Sequence, residues 1–170
     1  YHYRPNLNYN GKRYCTVIAE INIASFTGGG SKTICHAVNA SWTSWLRMEV
    51  YSSDHATVAL RNKVLVTQQY FQTPYNNIFQ LLTTINIADG QNHTIAYSSD
   101  CLTNASAKLW ADGANADDTG YASRLNTNGA IYSSGNTFGF TVGCNHTGSP
   151  IVFANHFIGK IGFFAFSYDL

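Results

Sequence analysis

The stretch Ala107-Lys108-Leu109-Trp110-Ala111-Asp112-Gly113, read AKLWADG, lies two-thirds of the way along the chain. Its first five residues predict a β-strand. Asp112-Gly113 predicts the turn that ends it, because Asp and Gly both tolerate the backbone conformations of tight turns. Asp117 and Asp118 follow at once, so this short segment holds three of only nine acidic residues. Such a cluster is either a metal or catalytic site or the chemistry of successive turns.

The composition favours one domain with a polar but weakly charged surface. A chain of 170 residues can bury a hydrophobic core in a single domain. Charged residues make up 11% of it and the net charge is +1, which leaves no field to attract nucleic acid or an anionic membrane. Asn, Ser, Thr, Gly and Tyr keep the surface wet, as in many secreted and virion-surface proteins. We therefore predict an extracellular or virion-surface location, no nucleic-acid partner and no membrane insertion.

Short runs of β-branched and aromatic residues alternate with clusters of Gly, Asn, Asp and Ser along the chain. This alternation is typical of an all-β sandwich or barrel. All three prolines fall outside the predicted strands, as ladder hydrogen bonding requires. The predicted strands cover residues 13–25, 34–37, 42–51, 56–60, 63–70, 78–87, 92–99, 107–111, 137–144 and 157–168.

Side-chain alternation predicts which strand faces are buried. In the segment 42–51 the apolar side chains point one way while Arg47 and Glu49 point the other, so we expect one wet face. The final strand carries large apolar groups on both sides, which predicts a central strand covered on both faces. Residues 76–84 are the one place where a single helical turn is expected. Arg61-Asn62 predicts a tight hairpin turn, because Asn tolerates the left-handed conformation.

The four cysteines lie far apart and form no C-x-x-C pair, which argues against a zinc ribbon or a thioredoxin-like site. Cys35-His36 and Cys144-Asn145-His146 could each lend two ligands to a metal, but this spacing matches no closed tetrahedral site. Buried thiols in strands are favoured over disulfides, because Cys is among the most buried residue types.

Motifs spread over nearly the whole chain resemble those of laminin G-like and concanavalin A-like domains. DGQNHTIAY at 89–97, followed by AKLWADG, is similar to the family's "dG-x-WHhVa" and "klYvDG", with Asn92 where the family usually has Trp. The other matching segments are YCTVIAEI, SWLRM, FGFTVG and FIGKIGFFAFSYDL, at residues 14–21, 44–48, 138–143 and 157–170.

The resemblance implies an all-β fold, a jelly-roll sandwich of two antiparallel sheets around a core about 10 Å thick. It places a single concanavalin A-like domain at residues 13–170 and leaves residues 1–12 as an N-terminal extension or the end of a linker. Because the chain starts at Tyr and stops just after the closing strand, we expect it to be an excerpt of a longer protein.

Relatives of this fold include glycosidases, and the retaining ones need two carboxylates about 5 Å apart. The only glutamates are Glu20 and Glu49, each alone in its strand, so the E-x-D-x-E type motif of the glucanase relatives is absent. No G-x-S-x-G elbow or H-E-x-x-H motif occurs, and His93 is expected to pack and hydrogen-bond in the sandwich. We predict no enzyme and no catalytic residue; a glycoside hydrolase using Glu20 and Glu49 ranks third.

Many laminin G-like relatives hold a calcium ion at the sandwich rim. Asp112, Asp117 and Asp118 could supply several of the six to eight oxygens that calcium requires. They are the metal candidates, and calcium is the only cofactor expected. The alternative, which is favoured, is that Asp112-Gly113 begins a loop and residues 117–120 form an Asx-type turn.

Sugar binding uses aromatic side chains as apolar platforms beside Asn, Asp and backbone donors. The candidates are the aromatic residues in loop-like positions or at strand entrances: Trp42, Tyr70, Phe71, Tyr75, Tyr121 and Tyr132. They favour a non-enzymatic recognition or adhesion domain of a larger virion-surface protein (fibre, tail or capsid decoration) or extracellular protein. Its partners would be glycans or a host or neighbouring surface protein, bound through rim loops.

The alternative is a structural module that forms a homo-oligomer or part of a larger assembly by burying a sheet face or edge. Two features favour this reading. One is the aromatic final strand, and the other is a polar region expected to be exposed, at Gln68, Gln69 and Gln72.

Overall fold

The structure is a computed structural model, and it describes residues 2–8, 15–39, 44–72, 75–99, 107–117, 124–125, 137–147 and 152–168. These ranges contain strands and one short 3₁₀ turn, η1 (Val58–Leu60). The strands are β1 (His2–Asn8), β2 (Cys15–Asn22), β3 (Ser31–Asn39), β4 (Ser44–Tyr51), β5 (Val64–Gln72), β6 (Tyr75–Leu82), β7 (Asn92–Ser99), β8 (Lys108–Ala111), β9 (Ala114–Asn115), β10 (Arg124–Leu125), β11 (Thr137–Val142), β12 (Asn145–Thr147), β13 (Val152–Ala154) and β14 (Lys160–Tyr168).

Two antiparallel sheets form the body of the fold. Seven strands make one sheet in the order β1-β11-β3-β4-β5-β6-β10, and five make the other in the order β14-β2-β7-β8-β9. β12 and β13 form a separate two-stranded hairpin. Strands far apart in the chain pair side by side, as β2 does with β14 and β7, which is the connectivity of a jelly roll. The predicted all-β jelly-roll sandwich is confirmed.

The core lies between the inner faces of the two sheets, and period-two alternation fills it. In β2 every second residue from Cys15 to Ile21 is buried, and the residues between them are partly exposed. In β4, Leu46, Met48 and Val50 face the same core. Burial contributes roughly 25 cal/mol per Å² of apolar surface removed from water. This shared cluster is therefore what holds one sheet against the other.

One hydrogen bond crosses the core from sheet to sheet. The hydroxyl of Tyr97 on β7 donates to Oε1 of Gln68 on β5 over 2.5 Å, and both side chains are buried. The prediction that Gln68 is exposed is wrong, because this residue shares the inner face of β5 with Val64 and Val66. A polar group buried among apolar ones is tolerated when a hydrogen bond satisfies it.

Asp112-Gly113 forms the turn of the β8–β9 hairpin, as predicted. Ala111 pairs with Ala114 across it, and φ is 53° at Asp112 and 79° at Gly113. Positive φ at both central positions defines a type I′ turn, which Asp-Gly adopts at little steric cost. Asn62 has φ 58°, in agreement with its predicted left-handed conformation, but Arg61-Asn62 connects the 3₁₀ turn η1 to β5, so the predicted hairpin is wrong.

Two predicted local structures near the ends of the seven-stranded sheet differ from the observed ones. Residues 2–8 lie in β1, which pairs with β11 at one edge of the sheet, so this part of the predicted 1–12 extension belongs to the sandwich. The helical turn expected at 76–84 is instead strand β6, paired with β5 along its length. The partner of β1 is distant in the chain, whereas the partner of β6 is the strand just before it.

The predicted strand 56–60 is η1 with flanking turns. Its apolar residue Leu60 is buried against Leu65 of β5 and Leu82 of β6. Leu60 therefore covers a neighbouring sheet face without pairing into the sheet, whereas Val58 is exposed. A run of five residues carries too little periodicity to separate these two structures.

The final strand, β14, lies at an edge of the five-stranded sheet. Phe164 and Phe166 on its inner face pack against the core, whereas Phe163 on its outer face is 53% exposed. The prediction of a central strand covered on both faces is therefore wrong. A register shift between Ile161 and Phe163 makes Gly162 the extra residue of a bulge.

Cys15, Cys35 and Cys144 are buried, which agrees with the prediction of buried thiols. Burial raises the pKa of the Cys35 thiol to about 12, so it stays protonated at neutral pH. Cys101 lies outside the described residues. In the described part of the chain, no helix is long and apolar enough to cross a membrane.

Tyr97→Phe is expected to lower the free energy of unfolding by about 1–3 kcal/mol, because the buried amide oxygen of Gln68 loses its donor. Urea unfolding followed by fluorescence measures the change. The double variant Tyr97→Phe, Gln68→Leu is the matched control. It should recover part of the loss, because it removes the acceptor of this hydrogen bond together with its donor. A Tyr97→Phe protein as stable as the parent would contradict this role.

Candidate functional site

Three connections meet at one end of the sandwich, which we call the loop end. They are residues 23–30, 52–63 and 83–91. Backbone hydrogen bonds tie them together, since Ser53 donates to Phe26 and Ile87 donates to Asn62. At the opposite end, which we call the hairpin end, β5 turns into β6.

A carboxylate fastens part of the loop end. The backbone N–H groups of Gly28 and Gly29 donate to the two oxygens of Asp54 over 2.9–3.1 Å. These hydrogen bonds lower the pKa of Asp54 to about 2. Both glycines have positive φ, 114° and 68°, which only glycine adopts readily.

His93 lies between two carboxylates at the same end. Its Nδ1–H donates to Oδ2 of Asp112 over 2.7 Å, and its Nε2–H donates to Oδ1 of Asp89 over 3.0 Å. The backbone N–H groups of Thr94 and Gln91 donate to the other oxygen of Asp112 and to Asp89. A histidine that donates from both nitrogens is an imidazolium cation. It fastens the β8–β9 turn to the start of β7, in agreement with the structural role predicted for His93.

The three groups shift one another's pKa values. Partial burial alone would lower the pKa of His93, but its hydrogen bonds to Asp112 and Asp89 outweigh burial and raise it. The pKa of Asp89 is lowered, first by the N–H of Gln91 and then by His93. Burial would raise the pKa of Asp112, and the hydrogen bond from His93 reverses this to a net lowering. While it is protonated, His93 cannot act as a general base.

The β8–β9 hairpin holds the calcium candidates Asp112 and Asp117 apart. Ala116 donates its N–H to Leu109 across the hairpin, so Asp117 stands level with Lys108. Four residues of strand separate that level from Asp112, or about 13 Å at 3.3 Å per residue. One ion bound directly by both carboxylates is not compatible with this spacing, since calcium–oxygen distances are about 2.3–2.6 Å.

Asp112 lies in the β8–β9 turn, and Asp117 forms an isolated β-bridge with Thr83. Both oxygens of Asp112 accept hydrogen bonds within the domain, and the N–H of Asp117 donates to Oδ1 of Asn115. Asp118 lies outside the described residues. Among the described residues no group of three or more His, Cys, Asp or Glu side chains is arranged to hold a metal ion. Calcium binding stays a prediction.

Half of the predicted sugar-binding aromatics lie at the hairpin end. Tyr70 and Phe71 belong to the last residues of β5, and Tyr75 begins β6. The pairing of these strands brings the three backbone positions into one hairpin. The remaining candidates, Trp42, Tyr121 and Tyr132, lie outside the described residues.

The outer face of the seven-stranded sheet carries polar side chains in register. Neighbouring strands β11, β3, β4, β5 and β6 each place one such side chain beside the next. We call this surface the polar face. Its row across the strands consists of Thr141, His36, Arg47, Thr67 and Gln80. Along β4 the polar face also includes Trp45 and Glu49, which lie on either side of Arg47.

Arg47 is at the centre of the polar face. Its guanidinium lies 4.9 Å from the ring centroid of Trp45, and its Nε is 2.9 Å from Oε2 of Glu49. The Glu49 side chain is 2% exposed, and it accepts a hydrogen bond from the Ser31 hydroxyl over 2.8 Å. The prediction of a wet face is therefore wrong at Glu49. Its buried charge needs these partners, because desolvation is otherwise uncompensated.

Strand β12 covers part of the polar face with a second histidine. The rings of His146 and His36 are 5.0 Å apart, and both residues are buried. The backbone N–H of His146 donates to Nδ1 of His36 over 3.3 Å, so His36 is neutral and carries its proton on Nε2. The Thr141 hydroxyl donates to the carbonyl of Cys144 over 2.6 Å and lies 3.4 Å from Nδ1 of His146. His36 and His146 thus contact each other on the polar face, whereas Cys35 faces the core on the other side of the sheet.

Burial keeps both histidines neutral. Desolvation lowers the pKa of His36 to about 3, and His146 and Arg47 nearby contribute to the lowering. Desolvation also lowers the pKa of His146. Protonation of either ring is therefore unfavourable while the β12–β13 hairpin stays packed on the polar face.

Glu20 and Glu49 do not form the carboxylate pair of a glycosidase. Glu20 lies on the outer face of the five-stranded sheet, because Ala19 and Ile21 on either side of it belong to the core. Glu49 lies on the polar face, beyond the same core. A core about 10 Å thick separates outward-pointing carboxylates by more than the about 5–9.5 Å that glycosidases use.

A cavity of about 520 Å³ opens beside β14. Its walls include Phe157, Ile161 and Phe164, with Gly159 and Gly162 between them. Apolar side chains and glycines offer few polar groups to orient a sugar. Of these two surfaces, the polar face is therefore the better candidate for a glycan.

A solved structure has a fold similar to that of this chain. Domains LG4-5 of the mouse laminin alpha1 chain match with a TM-score of 0.62 and 10% sequence identity, over 98% of this chain and 39% of that chain. The fold is the laminin G-like β-sandwich. At 10% sequence identity, the similarity between this chain and the laminin domains shows a shared fold and nothing further. No protein-family model and no curated protein sequence matches the chain.

Sequence reasoning about this laminin G-like sandwich missed the polar face as a site. Trp45, Arg47 and Glu49 alternate along one strand, and that signal could have marked them as a shared surface. His36 and His146 are 110 residues apart, so no local spacing could bring them together.

His93→Gln is expected to destabilise the domain more at mildly acidic than at basic pH. The pKa of His93 is raised by folding, so its stabilisation is complete below about pH 6.5 and is lost as pH rises through the folded-state pKa. The pKa values of Asp89 and Asp112 are lowered, so their stabilisation is present above about pH 4 and is lost as pH falls. Urea unfolding at about pH 5.5 and about pH 9 compares the two regimes. An equal loss at both would refute the charged cluster.

Stability is expected to fall on acidification because of His36. Its pKa is lowered by folding, so the unfolded chain binds the extra proton first, and stability is lost as pH falls from about 6.5 to about 3. Between about pH 7 and pH 5 this single group accounts for a loss of about 2 kcal/mol. His36→Gln should reduce that slope in denaturant unfolding. An unchanged slope would show that His36 titrates normally.

Proposed function

We propose that this domain is a non-enzymatic recognition or adhesion module of a larger extracellular or virion-surface protein, and that it binds glycans. The observation that carries the proposal is the platform made by Trp45 and Arg47 on the polar face. A glycan would lie across this platform toward the hairpin end.

Trp45 has the environment of a sugar-stacking residue. Trp45 is partly exposed, and the Arg47 side chain, itself 30% exposed, lies over one face of its ring. On the neighbouring strand Gln69 stands directly opposite Trp45 and is also partly exposed. An apolar ring with charged and amide groups beside it offers both the face and the edge contacts that a sugar uses.

The hairpin end extends this platform. Tyr70 pairs with Ser44, the residue before Trp45, and Phe71 follows Tyr70 along β5. The predicted aromatic positions therefore continue from the Trp45 platform toward one end of the sheet. A glycan of several sugars would run along that direction.

The laminin G-like fold and the composition support a binding module. The separation of Glu20 and Glu49 removes the one carboxylate pair that the glutamates could form. The low charge and the Asn, Ser, Thr, Gly and Tyr content are those of surface-displayed proteins. Either a cell surface or a virion surface agrees with this composition.

Trp45→Ala is expected to weaken glycan binding about tenfold, which is the loss of about 1.4 kcal/mol of stacking. A glycan array first identifies the ligand, and a titration of monovalent ligand in solution then compares the variants. Trp110→Ala is the matched control, because Trp110 is a partly exposed tryptophan on the five-stranded sheet. It should leave the affinity unchanged.

Absence of binding across the array by the parent domain would sink the glycan proposal. Equal losses in the two tryptophan variants would instead show that binding does not use the polar face. Circular dichroism of both variants checks that each remains folded.

A further inference from the structure

The outer face of the five-stranded sheet is a flat surface with an apolar middle, and we call it the open face. Its central row runs in register from Ala165 through Ile18 and Ala96 to Trp110. All four side chains are partly exposed, although each is apolar. At one side of the row, Phe163 is 53% exposed.

The open face differs from the polar face in what covers it. On the polar face, His146 packs over His36 and Leu60 covers Leu65. On the open face every outward residue described in β2, from Thr16 to Asn22, keeps some exposure. Water therefore contacts an apolar row that a partner could bury.

Two opposite charges flank the apolar row on opposite sides. Glu20 stands one row toward the loop end, in register with Thr94, and Lys108 stands one row the other way, in register with Ser98. Glu20 and Lys108 are two strand spacings apart across the sheet and four residues apart along the strands, which is a distance of about 16 Å. They are therefore too far apart to form an ion pair within one chain. Ala96 lies between them.

We infer that two copies of this domain pack open face to open face about a two-fold axis that passes near Ala96. The axis lies in the plane of the contact and perpendicular to the line from Glu20 to Lys108, so it exchanges the positions of these two residues between copies. Each glutamate then meets the partner's lysine, and two ion pairs flank one apolar centre. Such self-complementarity is what an isologous interface requires.

The size of the open face suits a reversible dimer. Strands β14, β2 and β7 are eight or nine residues long, whereas β8 has four residues and β9 has two. At about 3.3 Å per residue and about 4.8 Å between strands, the face covers on the order of 500 Å² per copy. Two copies would bury about 1,000 Å², which is the size of weak, transient interfaces. Side chains as small as Ala96 and Ala165 let the two sheets approach closely at the centre.

The dimer leaves the polar face free, because that face lies on the other sheet. The glycan platform is then presented twice, on opposite outer surfaces. Self-association and glycan binding therefore fail separately, and each can be measured without the other.

Sedimentation velocity over about 1 μM to about 1 mM measures the parent domain, which should show a monomer–dimer equilibrium. Ala96→Glu places a charge at the axis and should abolish the dimer. Val58→Glu is the matched control, since Val58 is an exposed apolar residue at the loop end, and it should leave the dimer intact. Circular dichroism confirms the fold of both variants, whose substituted side chains face solvent.

A charge exchange tests the ion pairs. Glu20→Lys and Lys108→Glu should each weaken self-association about tenfold, because like charges then meet across the interface. A mixture of the two single variants should form a heterodimer as strong as the parent dimer, since one ion pair keeps the parental polarity and the other is restored with reversed polarity.

A parent domain that stays monomeric throughout, or a mixture no stronger than either variant alone, overturns the dimer. A loss of glycan affinity in Ala96→Glu, without any dimer in the parent, would assign the open face to the glycan instead.

Discussion

A strand can turn only every second side chain toward the core, and this constraint sets the position of each group on the two outer faces. Val17, Ala19 and Ile21 fill the core from β2, so Glu20 has to face outward. Leu46, Met48 and Val50 do the same from β4, which sends Trp45, Arg47 and Glu49 to the opposite outer surface. The core thereby separates the two glutamates and gathers three chemically different side chains on one strand.

The two outer faces acquire different chemistry from the segments that lie over them. The polar face receives the β12–β13 hairpin and η1, so charged and imidazole groups there are partly or wholly buried and need partners. Glu49 has two partners within 3 Å, Arg47 and Ser31. The open face has no such cover on β2, and the side chains of its central row are apolar. A ligand that needs polar contacts suits the first surface, and an identical sheet suits the second.

The fold could be predicted from sequence because its signals are local. Alternation and turn residues predict the strands, and Asp112-Gly113 meets a backbone requirement that few residue pairs satisfy. The misplaced features depend on pairing across the chain. Whether β14 is a central or an edge strand depends on whether another strand pairs with its free side. Gln68 is tolerated in the core because Tyr97, 29 residues away, supplies a hydrogen bond to it. For the candidate site, the prediction reached only the hairpin positions Tyr70, Phe71 and Tyr75. Trp45 and Arg47 alternate along β4, so a local signal for them was present, whereas the contact between His36 and His146, 110 residues apart, arises from tertiary packing.

Histidine shows most directly why residue type alone does not give a site. His93 lies between Asp89 and Asp112, which hold it as a cation, whereas His36 is buried beside Arg47 and accepts a hydrogen bond at Nδ1, which holds it neutral. Acid therefore leaves the cluster at the loop end intact down to the pH at which its carboxylates protonate, while it already destabilises the histidine pair under β12. The hairpin over the polar face is thus the first part of the sandwich that acid should loosen. The open face carries no histidine among its described residues, so a dimer formed there would outlast that change.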